Sequence, residues 1–368
     1  MLLSKNTTLG ILAAVLASGG TPAARGQEAI PAPQHRIYEA LPPNIAQSTN
    51  SHLNQVIKAS LTLSTMAPYY IIVQQTRRWK SGGTVTIAFN GGTDDLYAKI
   101  ENAATTWTQA GAANLKMSFK DSAGNYLHWS TTDKAYSADI RIGFVSGNGG
   151  GYWSVIGIDS RDTTVQGGSP NQASMNLDSF DTQLPSDWAA VVQHEFGHAL
   201  GFEHEHQSPN GDCDFRFADD PGYVKTTDSD GWYTTDSKGR RPGLYTFLGG
   251  KANYWSAATV DVNMKSLTLA ATQNFLLGPF DDLSIMKYYI DPTMLSAGKS
   301  SPCYSSQENV TLSAQDIVGV HKAYSNDTTA ASKSADTIKA LLKAPRISAE
   351  LKSSLSQRLN TIQRQDSP

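Results

Sequence analysis

The eleven residues from His194 to His204 read His-Glu-Phe-Gly-His-Ala-Leu-Gly-Phe-Glu-His. His194 and His198 are four positions apart, which places both imidazoles on one face of an α-helix, where they can bind one metal ion. Gly201 lets the chain leave that helix through a positive φ, and the turn returns His204 as a third nitrogen ligand. Three neutral imidazoles leave one open position on a tetrahedral zinc ion. The motif therefore predicts a helix, a tight turn and a catalytic zinc site, with Glu195 beside the metal to move a proton of the bound water.

The alternative explanation is a helix whose histidines fall at this spacing by chance. The short pattern His-Glu-x-x-His leaves that alternative open, but the longer one also fixes a glycine and a third histidine at set offsets. The extended motif therefore favours the metal site.

This eleven-residue pattern resembles that of the metzincin zinc peptidases. A methionine turn is the second part of their signature, and residues 284–288, Ser-Ile-Met-Lys-Tyr, match it. The methionine turn and residues 201–205, Gly-Phe-Glu-His-Glu, make the chain most similar to the astacin branch. Residues 151–157 resemble the astacin strand beside the zinc cleft. The similarity covers about residues 79–325, and the departures after His204 indicate a secreted variant of the fungal or bacterial type.

The resemblance implies a zinc-dependent endopeptidase in which Glu195 is the general base and acid. It implies that Met286 lies beneath the zinc ligands and that Tyr288, whose astacin counterpart can ligate zinc, stabilises the oxyanion. As isolated residues, both would be interpreted as core side chains; the residues around them favour the site. An edge strand containing Tyr152, Trp153, Ser154 and Val155 would bind a protein or peptide substrate through main-chain hydrogen bonds.

Two other functions stay open. A matrix-type metzincin protease would carry structural calcium and would not use the tyrosine. A non-catalytic secreted binding protein on a peptidase scaffold would be expected to lose the glutamate or a histidine, and this chain keeps all four. The acidic residues between Asp212 and Asp220 lack the spacing of a known calcium loop, so a solvated loop is the favoured interpretation.

The N-terminus resembles a secretory signal, with Lys5, an apolar run over residues 9–17 and small residues over 22–24. The run is shorter than the ~20 apolar residues of a membrane-spanning helix, so stable membrane insertion is not expected. In the secreted, extracellular protein that this implies, Cys213 and Cys303 are candidates for one disulfide.

The net charge of the 368-residue chain is −3, with 17% charged residues, which gives no basis for a nucleic-acid partner.

The expected organisation is a signal peptide (1–26), a pro-segment or N-terminal extension (27–78), the zinc peptidase domain (79–325) and a basic amphipathic helical tail (326–368). In the tail, apolar residues recur at helical spacing: Ile347, Leu351, Leu355, Leu359 and Ile362. A helix docked on the domain, or a removable tail, is favoured over a helix on a membrane surface.

Arg77-Arg78 is a candidate processing site. The astacin resemblance implies that the new N-terminus reaches Glu205, and a cut after Arg78 leaves no segment that could do so.

Alternating apolar residues predict a strand over 84–90, and Thr93 can cap a helix that begins at Asp94 and ends before Gly111. Further strands are expected near 115–119, 140–144 and 174–177. These elements, with the helix that carries the first two histidines, predict an α+β fold of the metzincin type, with a twisted mixed sheet and long helices in an upper lobe. Residues 210–280 are rich in Gly, Asp, Ser and Tyr and predict an irregular, loop-rich lower lobe.

Overall fold

The computed structural model describes residues 41–60, 76–110, 113–146, 151–251, 253–267, 279–326, 328–344 and 347–365. The predicted signal peptide and part of the predicted pro-segment lie outside these residues. The described α-helices are α1 (Pro43–Ser60), α2 (Asp94–Ala110), α3 (Trp188–Ala199), α4 (Leu244–Gly249), α5 (Ala257–Met264), α6 (Ala314–Ala323), α7 (Thr328–Leu342) and α8 (Ala349–Arg364). The described strands are β1 (Thr84–Phe89), β2 (Lys116–Ser118), β3 (Leu127–His128), β4 (Ile140–Gly143), β5 (Tyr152–Ser154), β6 (Met175–Leu177), β7 (Thr226–Thr227) and β8 (Tyr233–Thr234).

The main sheet has the strand order β2-β1-β4-β6-β5, and β3 pairs with the end of β1. Its pairings are parallel except for β5, which runs antiparallel to β6. Val85, Ile87 and Phe89 of β1 alternate along the strand and are fully buried, because helices cover that face of the sheet. This arrangement confirms the predicted α+β architecture and shows that the sheet is mostly parallel.

Helices α2 and α3 pack against each other and against the sheet. The α2 face of Leu96, Ile100, Ala103 and Trp107 is buried, as its spacing predicts. Nearly every side chain of α3 is buried, so the helix that carries the zinc motif runs through the centre of the core.

The C-terminal helices add side chains to the same core. Ile338 and Leu341 of α7 and Leu351, Leu355 and Ile362 of α8 are buried in the apolar cluster that contains β1, α2 and α3. The sequence predicts one tail helix, whereas the described chain forms two. The side chains of α8 that recur at helical spacing face the protein, which is the docked arrangement.

The lower lobe has its own small core around α4 and α5, and its only described sheet is the two-stranded β7–β8 pair. A disulfide joins Cys213 to Cys303 across this lobe. The carboxylates of Asp219 and Asp220 accept hydrogen bonds from Gly243 N and Arg241 N, so these acids hold loops of their own lobe. None of the described helices combines the length and the apolar character needed to cross a bilayer.

Candidate metal centre and active site

The three histidines of the motif converge on one point. His194 and His198 lie on α3, and His204 follows the turn after it. The His194 Nε2 atom lies 3.2 Å from His198 Nε2, which lies 3.1 Å from His204 Nε2. Ligands about 2.05 Å from a tetrahedral zinc ion are separated by about 3.3 Å, so the spacing fits such an ion. Among the described residues, this is the one group of three or more His, Cys, Asp or Glu side chains with such convergence.

The opposite ring nitrogens fix the tautomers. His194 Nδ1 lies 2.7 Å from the Ile285 carbonyl oxygen, and His198 Nδ1 lies 2.8 Å from the Phe202 carbonyl oxygen. A carbonyl oxygen only accepts, so each Nδ1 carries the proton and each Nε2 presents a lone pair. Lone pairs this close repel each other unless a cation lies between them, so the donor set fits a bound metal.

Gln207 orients the third ligand. Its Oε1 lies 3.4 Å from His204 Nδ1, while its Nε2 donates to the carbonyl oxygens of Val262 and Lys265. Those two bonds fix which end of the amide faces His204. The sequence analysis does not identify Gln207, because its partners lie on the distant helix α5 and the residue after it.

Gly201 has a φ of 97°, the left-handed conformation predicted for the turn. Phe202 N donates to Gly197 O at 3.0 Å, and the Phe202 ring stacks on Trp107 of α2 with centroids 5.2 Å apart. The turn is therefore closed by a backbone bond and anchored by an aromatic pair, and both set the path that leads to His204.

The methionine turn lies directly under α3. Met286 is 2% exposed, and a Cβ built on Gly197 would lie only 2.2 Å from its sulfur. Position 197 therefore requires glycine because a larger residue would collide with Met286, and not because of its backbone conformation. The neighbouring backbone also holds the site, because Ile285 O accepts from His194 Nδ1 and Met286 O accepts from Glu205 N. Gly197 is a residue that the motif does not single out.

Two polar side chains hold the methionine turn in place. Asp316 of α6 accepts from Ser284 Oγ at 2.6 Å and from Ile285 N at 2.9 Å. Asn309 donates both amide protons, to Asp282 O and to Ser284 O. Asn309 begins an Asn-Val-Thr glycosylation sequon, but a glycan would replace one of these protons. The sequence signal for Asp316 is its capping box with Ser313, which does not reveal the second role.

Tyr288 is 2% exposed, and its ring lies beside the ligands, with its centroid 4.4 Å from that of His204. On the other side it stacks against His206 at 4.3 Å. His206 is fully buried, and its Nε2 lies 2.8 Å from Asn263 O. Burial, reinforced by His204, lowers the pKa of His206 well below its usual range. His206 is thus a neutral platform for the Tyr288 ring.

Glu195 is fully buried on α3, one position after the first ligand. Its carboxylate therefore lies in surroundings of low dielectric, where a proton acceptor interacts strongly with nearby charge.

Strand β5, which the sequence predicts to bind peptide, lies at one edge of the main sheet. Tyr152 packs toward α3 and contacts Phe180 edge-to-face at 5.7 Å. Trp153 and Val155 are buried on the opposite face of the sheet against Ile45 of α1. Ser154 is buried and donates its hydroxyl to Val155 O. All four side chains are thus engaged within the protein, so any recognition along β5 would use its backbone.

A cavity of about 270 Å³ lies behind the ligands, lined in part by Glu205, Asp281, Asp316 and Lys322. Burial, reinforced by the charges of Asp316 and Asp281, raises the pKa of Glu205 to about 7. Glu205 is the residue to which the astacin resemblance directs a new N-terminus.

The fold is similar to that of myroilysin. One structure of myroilysin is 24% identical, and the match covers 70% of this chain and 98% of that chain with a TM-score of 0.50. A second is also 24% identical and covers 70% and 88% of the two chains, with a TM-score of 0.40. No protein-family model and no curated protein matches the chain. At this identity the likeness shows the fold alone.

Proposed function

We propose that the protein is a secreted zinc-dependent endopeptidase of the astacin-like metzincin type. The observation that carries this proposal is the convergence of the Nε2 atoms of His194, His198 and His204, each with its other nitrogen facing an oxygen acceptor. A zinc ion held there would polarise the scissile carbonyl and lower the pKa of water toward neutrality. Three histidines leave room for that chemistry, whereas a purely structural zinc site is closed by a fourth protein ligand.

Glu195 would accept a proton from the attacking water and then return it to the leaving amine. Its burial keeps competing solvent away from that proton. Tyr288 would donate its phenolic hydrogen to the oxyanion that forms on the scissile carbonyl. The stacking of its ring on His206 supports this role, because a preoriented donor loses little entropy when charge develops.

The substrate would be an extended peptide that adds to β5 in the manner of another strand. Because the side chains of β5 are engaged within the protein, binding of this kind would not read the substrate sequence at these positions. Secretion is supported by the N-terminal signal pattern and by the Cys213–Cys303 disulfide.

The test is hydrolysis of a denatured protein by the purified chain, with its N-terminus mapped, in the presence and absence of a zinc chelator. The Glu195→Gln variant should bind one zinc per chain, as the native protein does, and lose a factor of about 10² to 10⁴ in kcat/KM. The Tyr288→Phe variant should lose about 10² in kcat with little change in KM, because the phenol acts on charge that develops in the transition state. Full activity of Glu195→Gln, or activity that resists zinc removal, would refute the proposal.

A further inference from the structure

Four charged side chains, three of them buried, form a chain of ion pairs that ends at the residue before His204. Glu203, immediately before His204, pairs with Arg77, whose Nη1 lies 3.1 Å from Glu203 Oε1. Arg77 Nε also lies 3.3 Å from Asp159 Oδ2, and Asp159 Oδ1 lies 2.8 Å from Arg358 Nη2. Arg77, Asp159 and Arg358 are each at most 4% exposed. The charges run without interruption from the C-terminal helix to the residue beside the third ligand.

Arg77 is held in this position by its backbone as well. Its carbonyl oxygen would lie 1.9 Å from a Cβ on Gly157, which has a φ of 53°. Gly157 in turn lies against Gly201, since the same Cβ would be 3.6 Å from Gly201 Cα. The segment before the predicted catalytic domain is therefore packed against the turn that follows α3. Arg77 and Arg78 are 3% and 9% exposed, so a processing protease does not reach them in this form.

Arg358 fixes the other end of the chain of charges. Its Nε lies 2.9 Å from Asp162 Oδ2, and its Nη1 donates to Thr76 O at 2.8 Å. One guanidinium thus binds two carboxylates and the backbone next to Arg77. Asp162 also accepts from Ser354 Oγ, which contacts His52 of α1. Arg358 of the tail therefore connects the 3₁₀ segment at 157–161 with the chain just before Arg77.

We propose that Arg358 is a positioning residue for the metal site, acting through Asp159, Arg77 and Glu203 on the orientation of His204. Without Arg358, Asp159 loses one of its two ion-pair partners and keeps Arg77. Arg77 is then drawn toward Asp159, which loosens its contact with Glu203. Loss of an orienting contact around a metal ligand commonly weakens metal binding by about 10- to 100-fold. Because the contact here is indirect, we expect about 10-fold weaker zinc binding.

The experiment measures zinc affinity of the full chain by competition with a chelator of known affinity, together with the melting temperature of the metal-free protein. Arg358→Met should bind zinc about 10-fold more weakly. The matched control is Arg364→Met on the same helix. Arg364 pairs with Asp139, which Arg161 also neutralises, and not with the carboxylates that Arg358 contacts. Arg364→Met should therefore keep the native zinc affinity.

A double-mutant cycle separates positioning from general destabilisation. If Arg358 acts through Glu203, then Arg358→Met should weaken zinc binding little further in a Glu203→Ala background. Additive effects, or an unchanged zinc affinity in Arg358→Met, would overturn the proposal. If Arg358→Met does not fold, Arg358→Lys keeps the charge but offers one ammonium for two carboxylates, and it should show the same loss in smaller degree.

This inference rests on the proposed metal site, and the two fail differently. A native chain that binds no zinc would refute both. A native chain that binds zinc while every variant at position 358 binds it equally well would refute only the role of Arg358.

Discussion

Two glycines of the motif are required for different physical reasons. Gly201 adopts a φ of 97°, which side chains with a Cβ avoid. Gly197 has no such conformation, but it lies inside α3 where the sulfur of Met286 and the ring of Trp107 approach it. The first requirement can be predicted from the motif, because it belongs to the turn. The second cannot, because the contacting atoms come from residues far along the chain.

Gly197→Ala should therefore destabilise the protein although alanine favours helices. Overpacking of a core costs about 1–3 kcal/mol, and helix propensity returns at most about 1 kcal/mol. We expect a net loss of about 1–2 kcal/mol in the free energy of unfolding, measured in urea on the metal-free protein.

Gly319→Ala in α6 is the matched control, because the nearest atom to its added Cβ is 3.7 Å away. It should leave stability unchanged or raise it by up to about 1 kcal/mol. Equal effects of the two substitutions would show that the Met286 contact imposes no constraint.

Lys287 is buried inside the methionine turn, with Ser305 Oγ and Tyr288 O as hydrogen-bond acceptors. Burial lowers the pKa of Lys287 to about 8. Between pH 8 and the usual lysine pKa of about 10.5, the unfolded chain holds this proton and the folded chain does not. Stability contributed by this group therefore rises as pH rises through that interval, and the full cost of burying the ammonium is present below pH 8.

Lys287→Met should raise the free energy of unfolding at pH 7 by on the order of 2 kcal/mol, because it removes a buried charge. The gain over the native protein should shrink between pH 8 and 10.5. Urea unfolding of the metal-free proteins at several pH values measures this difference, with the exposed residue Lys352, changed to Met, as the control. A destabilised Lys287→Met protein at pH 7 would contradict the expected sign.

At the scale of elements, the methionine turn is a loop held by its neighbours rather than by secondary structure of its own. Asp316 and Asn309 fix its backbone, and the turn in turn fixes His194. The sequence predicts α2 and β1 well because their apolar residues repeat at the helical and strand periods. It does not predict β3, since two residues show no period, nor α1, and it does not predict that the helical tail divides into α7 and α8.

Asp316→Asn should loosen the methionine turn, because an amide offers one oxygen where the carboxylate receives Ser284 Oγ, Ile285 N and Ser313 N. Leaving a buried donor unpaired costs about 1–3 kcal/mol. We expect that loss in the free energy of unfolding, together with weaker zinc binding in the chelator competition. Gln315→Ala, an exposed change in the same turn of α6, should alter neither quantity.

At the scale of the molecule, the C-terminal helices α7 and α8 contribute buried side chains to the main apolar cluster. Helical spacing correctly predicts which side chains of α8 form the apolar face. It cannot predict what that face covers, because its partners come from the main apolar cluster and from α1. The same limit applies to Arg358, which appears in the sequence as one more basic residue of a basic tail.

Leu355→Ala should lower the free energy of unfolding by about 2–5 kcal/mol, the range for truncating a large aliphatic side chain in a packed core. Leu355 is fully buried in the main apolar cluster. Lys352→Ala, one turn earlier on the exposed side of α8, should change the free energy of unfolding by less than about 0.5 kcal/mol. Thermal unfolding of both variants measures this difference in stability. A Leu355→Ala protein as stable as the native one would favour a removable tail.

The position of Arg358 after the histidine motif has a consequence for the order of events during synthesis. Asp159, Asp162 and the zinc motif all leave the ribosome before Arg358 does. Until α8 has emerged, Asp159 and Asp162 would be buried without the guanidinium that pairs with both of them. A nascent chain that has not yet reached Arg358 would therefore lack the finished charge arrangement behind the proposed metal site.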